Sequence, residues 1–229
     1  MIRKLVFALG AAALAATAPA VPATPAAQPA QEVRVAFVIS EGFNMIDFAG
    51  PWEVFQDTHT PSKDSSMHMP DVYTVSTSGK PVQSTGGMLV TPRFSLGDAP
   101  APDVVVIGAQ SDNSPELLAW LKAQRARGAT VMSVCTGARK LALSGMLDGK
   151  RATTHHEFIE PFRKQFKDVE WVEDQRFVRA DERLYTAGGL TSGIDLALHV
   201  VAERYGQETA QATADYMEYK SDGWKRAPG

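Results

Sequence analysis

The chain has one cysteine among its 229 residues, so no internal disulfide can staple the fold and any thiol chemistry must run through Cys135. It also lacks a dominant charge. With 23 basic and 26 acidic side chains the formal charge is −3, which offers no footprint for nucleic acid or for an anionic membrane surface. No internal repeat is evident. At 44% hydrophobic and 21% charged residues, the composition argues against both disorder and a polytopic membrane protein. The length suits one domain with a full core.

What is present starts with an export signal. Arg3 and Lys4 form a basic n-region, and Leu5 to Ala16 is apolar and alanine-rich. Ala16-Thr17-Ala18 and Ala18-Pro19-Ala20 then offer small-residue cleavage sites. Cleavage after Ala20 is favoured, because the alternative leaves Pro19 directly after the cut. An uncleaved anchor is the competing reading, since Leu5 to Val21 approaches spanning length, but the alanine content and Pro19 weigh against it. No cysteine follows the apolar run, which excludes a lipid-modified N-terminus. The expected organisation is a signal peptide over residues 1–20, a Pro/Ala-rich linker over 21–31 and one domain over 32–229. The expected location is periplasmic or secreted, with no membrane span after cleavage. An unpaired cysteine in such an oxidising compartment points to a reactive thiol or an intermolecular bridge.

That cysteine ends a buried-strand pattern, Val131 to Val134. Thr136-Gly137 turns the chain into Ala138 to Ser144, whose Ala, Lys and Leu content favours helix. Strand, tight turn with a nucleophile-type residue, then helix is the layout of a nucleophile elbow. Unpaired N–H groups and the positive dipole end at a helix start stabilise a thiolate, so Cys135 is expected below the ~8.5 of a free thiol. The bland reading is a small buried hydrophobe at a strand end.

The remaining chain alternates strands and helices. Val33 to Ile39 reads as a first strand covered on both faces. A loop holding Asp47 follows, and Pro51 stands in the first turn of a helix to about Asp57. Asp47 is thereby placed at the carboxyl edge of the sheet, where open α/β folds bind ligands. Val72 to Thr77 is a second strand, and Gly79, Gly86 and Gly87 bracket a hairpin. Asp103 to Gly108 is a third strand. Ser114-Pro115-Glu116 opens a helix that Gly128 closes. Lys150 to Thr154 is a short strand ending at His155-His156, with helix from Glu157 to Lys167. Strand or hairpin is expected over Trp171 to Ala180 and strand over Arg183 to Ala187. Thr191 or Ser192 caps a helix with Ile194, Leu198, Val201 and Tyr205 on one face, and a last helix spans about Glu208 to Tyr219. His59 and His68 read as solvated and His199 as structural. The pattern gives an α/β domain with a mainly parallel sheet.

Five segments occur in order: Ile46-Asp47-Phe48-Ala49-Gly50-Pro51-x-Glu53-Val54-Phe55, Cys135-Thr136-Gly137-Ala138, Leu147-x-Gly149-x-Arg151-Ala152-Thr153-Thr154-His155, Ala187-Gly188-Gly189-x-Thr191-Ser192-Gly193-Ile194-Asp195 and Met217-Glu218-Tyr219. Together they resemble the DJ-1/PfpI superfamily and, within it, the isonitrile hydratase branch, over about Val33 to Tyr219. The resemblance implies a flavodoxin-like, glutamine-amidotransferase-like three-layer sandwich, usually a homodimer acting on a small molecule. It implies Cys135 as nucleophile, Asp47 as proton-transfer group and Thr136 as a hydrogen-bonding residue within the site. By that analogy the thiolate attacks an isonitrile carbon and an N-substituted formamide is released, with no metal or cofactor required.

Two departures set accessory candidates. Relatives usually carry Pro-Gly-Gly after the third strand, where this chain has Gly108-Ala109-Gln110 as possible oxyanion donors. Where relatives have an aromatic residue, His156 implies a more polar pocket. His155 allows a Cys–His pair, and with it an amidase-like hydrolase. A ligand-binding or redox-sensing protein that keeps Cys135 as an oxidation target is the third class. The residues after Tyr219 are too few for a DNA-binding domain, so no nucleic-acid partner is expected.

Overall fold

The computed structural model describes residues 33–61 and 67–225. The expected signal peptide and linker over residues 1–31 lie outside them. In chain order the principal elements are β1 (Arg34–Val38), α1 (Met45–Gln56), β2 (Asp71–Ser76), β3 (Phe94–Ser95), β4 (Val104–Ile107), α2 (Pro115–Ala126), β5 (Thr130–Val134), α3 (Ala138–Leu143), α4 (Ile159–Gln165), β6 (Phe177–Asp181), β7 (Leu184–Ala187), α5 (Ser192–Tyr205) and α6 (Gln207–Tyr216). The seven strands lie in the order β6-β7-β5-β4-β1-β2-β3. Every pairing is parallel except the β6–β7 hairpin.

The layering follows from side-chain alternation on the strands. Ala36, Val38, Val105, Ile107 and Val131 face a core shared with Leu117 and Leu121 of α2, Leu141 of α3 and Phe162 of α4. Val35, Phe37, Val104, Val106 and Met132 face the other way, onto Val54 and Phe55 of α1, Leu196 and Val200 of α5 and Ala210 of α6. The result is the mainly parallel α/β sheet that the sequence pattern predicts, in the flavodoxin-like three-layer sandwich that the family resemblance implies.

Several boundaries move, each for a local reason. Helix α1 starts at Met45 rather than at Pro51, because the Asn44 side chain accepts the Ile46 and Asp47 N–H groups and caps it there. Asp47 therefore stands in the first helical turn, not in a loop, and Pro51 lies inside the helix, where it removes one backbone bond. The expected Gly-bracketed hairpin forms as Val82–Gln83 against Leu89–Val90. The Trp171 to Ala180 segment divides: Glu170–Trp171 pairs in parallel with Arg151–Ala152 off the main sheet, and β6 joins the hairpin. The helix after His155 begins as a 3-10 turn, His156–Phe158. The last helix ends at Tyr216.

Beyond α6 the chain returns as a strap across α5. Asp195, fully buried, accepts Arg176 Nε at 2.6 Å, the Tyr219 hydroxyl at 3.1 Å and the Ser221 hydroxyl at 3.2 Å. Trp224 is buried, and its carbonyl meets Nδ1 of the buried His199 at 3.2 Å. Among the described residues no helix is long and apolar enough to cross a membrane.

Candidate active site

The turn after β5 sets Cys135 at φ +56°, a left-handed conformation that L-residues adopt at a cost. Neighbours hold it from both sides. The Cys135 N–H donates to Gly188 O at 2.9 Å, and its carbonyl accepts the Thr154 hydroxyl at 2.9 Å. The turn is pressed against β4, since a Cβ on Gly137 would lie 2.1 Å from Ile107 O. Only glycine fits there. A strand, a strained apex and a helix on top of a parallel sheet make this a nucleophile elbow.

Asp47 reaches the same place from α1. One carboxylate oxygen, Oδ2, accepts the Ala109 N–H at 3.0 Å, while Oδ1 is buried without a hydrogen bond of full geometry. The Cys135 thiol and the Leu190 N–H are its polar neighbours. Gly108 permits the approach, for a Cβ there would stand 2.7 Å from Asp47 Cβ.

The electrostatics reverse the expected thiolate. Burial, and then the charge of Asp47, push the Cys135 thiol up to about 12, against the opposing pull of the Thr136 and Leu190 N–H groups. Asp47 is pushed up to about 6 by burial, partly offset by the Ala109 N–H, Cys135, Leu190 and the cation of Lys140. Cys135 is only 7% exposed, and this desolvation together with the facing carboxylate outweighs the stabilisation offered by the helix start. At neutral pH the pair rests as thiol and carboxylate. That is the arrangement of a nucleophile beside its general base.

The other candidates separate. The Thr136 N–H is directed at the sulfur, and its hydroxyl has no hydrogen-bond partner among the described residues. The Ala109 N–H is engaged by Asp47, and Gln110 turns inward to donate from Nε2 to Val38 O at 3.3 Å. The Ala109 N–H is therefore not free as an oxyanion donor, and the Gln110 side chain is turned away from that role. His155 makes no bond to Cys135: its Nδ1 accepts the Glu157 N–H at 3.3 Å, and its ring stacks on His156 at 4.4 Å. A cavity of about 570 Å³ opens beside it, lined by Thr153, His155, His156, Arg176, Gly189 and Leu190 among others. Neither Cys135 nor Asp47 lines that cavity; the Gly188–Leu190 backbone stands between. His156 contributes a polar ring to the wall of that cavity. His59 Nδ1 lies 2.7 Å from Asp57 O, so it is held rather than simply solvated, and the side chain of His68 lies outside the described residues.

Two residues in the site escaped the sequence reading. Leu190 holds φ +53° and directs its N–H toward both Asp47 and Cys135. The preceding Gly188-Gly189 was the available signal. Lys140, in α3, is buried behind the pair.

Residues 33–203 match the model of the DJ-1/PfpI family. The chain belongs to the DJ-1/PfpI family. Among its relatives in that family, the isonitrile hydratase of Pseudomonas putida is 31% identical over 82% of this chain and 78% of that protein. The HTH-type transcriptional regulator GbdR of Pseudomonas aeruginosa is 27% identical over 81% of this chain, which spans half of that regulator's length. A crystal structure of a ThiJ/PfpI family protein from Pseudomonas syringae superposes with a TM-score of 0.71 at 26% identity, covering 86% of this chain and 84% of that one. Drosophila melanogaster DJ-1beta shares the fold, with a TM-score of 0.68 at 20% identity over 83% of this chain and all of that one. The DJ-1/PfpI family thus includes an isonitrile hydratase and regulators alike.

Proposed function

We propose that this protein is a cysteine-dependent hydratase of small electrophiles, converting isonitriles to N-substituted formamides. The observation that carries the reading is the facing Cys135 thiol and Asp47 carboxylate in one desolvated site. The likeness to an isonitrile hydratase supports it. Asp47 accepts the thiol proton as sulfur bonds to the terminal isonitrile carbon. The protonated carboxyl then returns that proton to the same carbon, giving a thioimidate. Water adds across the C=N bond, its oxygen on carbon and its proton on nitrogen. The C–S bond breaks as the added hydroxyl becomes the formyl carbonyl, its proton returns to sulfur, and the formamide leaves. One water is consumed and no electrons change hands. In this reading the Thr136 and Leu190 N–H groups stabilise charge on sulfur, and the Thr136 hydroxyl bonds the substrate. The same reading keeps the protein exported, homodimeric and without a nucleic-acid partner.

The test is formamide production from cyclohexyl isonitrile, followed by chromatography. Cys135→Ala and Asp47→Asn should each abolish it with the circular dichroism unchanged, and the double variant should be scarcely worse than either, because the pair acts as a unit. His155→Ala should cost much less. Turnover that survives Asp47→Asn but is lost in His155→Ala would replace this reading with a Cys–His amidase. No turnover by the wild type would remove the isonitrile assignment.

A further inference from the structure

Lys140 is among the largest fully buried side chains, at 2% exposure. Fully buried lysines are rare, because an ammonium withdrawn from water needs compensation. Here the hydrogen bond it makes is to a neutral group, the main-chain carbonyl of Gln110. No carboxylate forms an ion pair with it among the described residues. Asp112, the nearest acid of the loop after β4, is occupied by the Thr77 hydroxyl at 2.5 Å and the Ser114 N–H at 2.8 Å. A lysine at this depth is not accounted for by a structural ion pair.

The surroundings indicate what it does. Gln110 belongs to the loop Gly108 to Asp112, which carries the Ala109 N–H that holds Asp47. That loop is bound to the β1–α1 segment by Asn44 N–H to Ala109 O at 2.9 Å, Ser111 N–H to Glu41 O at 3.0 Å and Asp112 N–H to the Ser40 hydroxyl at 3.1 Å. Lys140 adds a tie from the other side, out of the helix that follows Cys135. One side chain therefore links the elbow helix to the loop that aims Asp47. The charged groups acting on it are Arg139, which repels it, and Asp112, Cys135 and Asp47, which attract it.

We infer that Lys140 is a positioning residue and the counter-charge of the Cys135–Asp47 pair: it fixes the loop that orients Asp47 and favours the anion formed when sulfur loses its proton. This rests on the reading of Cys135 as a nucleophile, not on the identity of the substrate. Burial, reinforced by Arg139, draws the Lys140 ammonium down to about 8. The counter-charge is thus present at neutral pH and is lost as pH rises past that point.

The readout is the rate of Cys135 alkylation by iodoacetamide against pH, followed by intact mass, with no second cysteine to interfere. Lys140→Met removes both tie and charge, whereas Lys140→Gln keeps an N–H donor for Gln110 without the charge. Both variants should alkylate on the order of tenfold more slowly at pH 7, corresponding to an upward shift of about one unit in thiol pKa. Folded variants that keep the wild-type profile would reduce Lys140 to a structural residue and overturn the inference. The wild type gives an independent arm. Its log rate should rise with less than unit slope through pH 8, where the cation is lost, and a straight unit slope across that range would also overturn it. Alkylation does not need an isonitrile: loss of turnover in the wild type with an intact Lys140 effect would sink the substrate reading alone.

Discussion

A Cβ placed on Gly108 would stand 2.7 Å from the Cβ of Asp47, so the carboxylate reaches Cys135 across a backbone position with no room for a side chain. The obstructing atom is the root of the Asp47 side chain, which cannot swing aside. Gly108→Ala should therefore displace α1 or the loop and destabilise the protein by about 1–3 kcal/mol, as overpacking does. Urea unfolding measures it. A variant as stable as the wild type would show that the approach is looser than described.

Stability should depend on pH through Asp47. Folding raises its pKa from 3.8 to about 6, so the native state holds the proton more tightly than the unfolded chain. The associated stability is fully present below pH 3.8 and is lost as pH rises through 6. The change is at most about 3 kcal/mol, given 1.36 kcal/mol per unit. Asp47→Asn lacks that titration, so its stability relative to the wild type should improve between pH 4 and pH 7. A constant difference in urea midpoints across that interval would contradict the burial assigned to this carboxyl.

The strain at Cys135 can be measured separately from its chemistry. At φ +56°, glycine is the residue with least steric penalty, while alanine keeps it. Cys135→Gly should be more stable than Cys135→Ala by up to about 1 kcal/mol, the relief exceeding the entropy glycine loses. Equal stability, or the reverse order, would mean that the elbow relaxes when the sulfur is removed.

Export gives a prediction from sequence alone. The native exported protein should start near Val21, as intact mass would show. A mature chain retaining Met1 to Ala20 would overturn the signal-peptide reading.

The sheet was legible because β1, β4 and β5 are short apolar runs bounded by turn residues, and strand, helix, strand spacing leaves little topological choice. Cys135 was legible for the same reason: the one cysteine directly follows the apolar strand β5. The ionisation of the site was not. It depends on burial by α1, the Gly108 loop and the Gly188–Leu190 turn, which are remote in sequence. Lys140 reads locally as an ordinary helix former, and nothing in its neighbours announces that its face of α3 is sealed. The start of α1 was missed because Pro51 is usually a first-turn residue, whereas here the Asn44 cap prevails. Leu190 was missed because an apolar residue gives no hint that its backbone turns left-handed.

The strap beyond α6 matters to anyone building expression vectors. Asp195 joins Tyr219 and Ser221 to Arg176, and Arg176 lines the large cavity. A chain cut before Tyr219 would strip two hydroxyls from a buried carboxylate and loosen a cavity wall far away in sequence. A reporter or purification handle fused close behind Trp224 would strain the same anchor. Handles belong on a spacer well beyond Trp224, clear of that anchor.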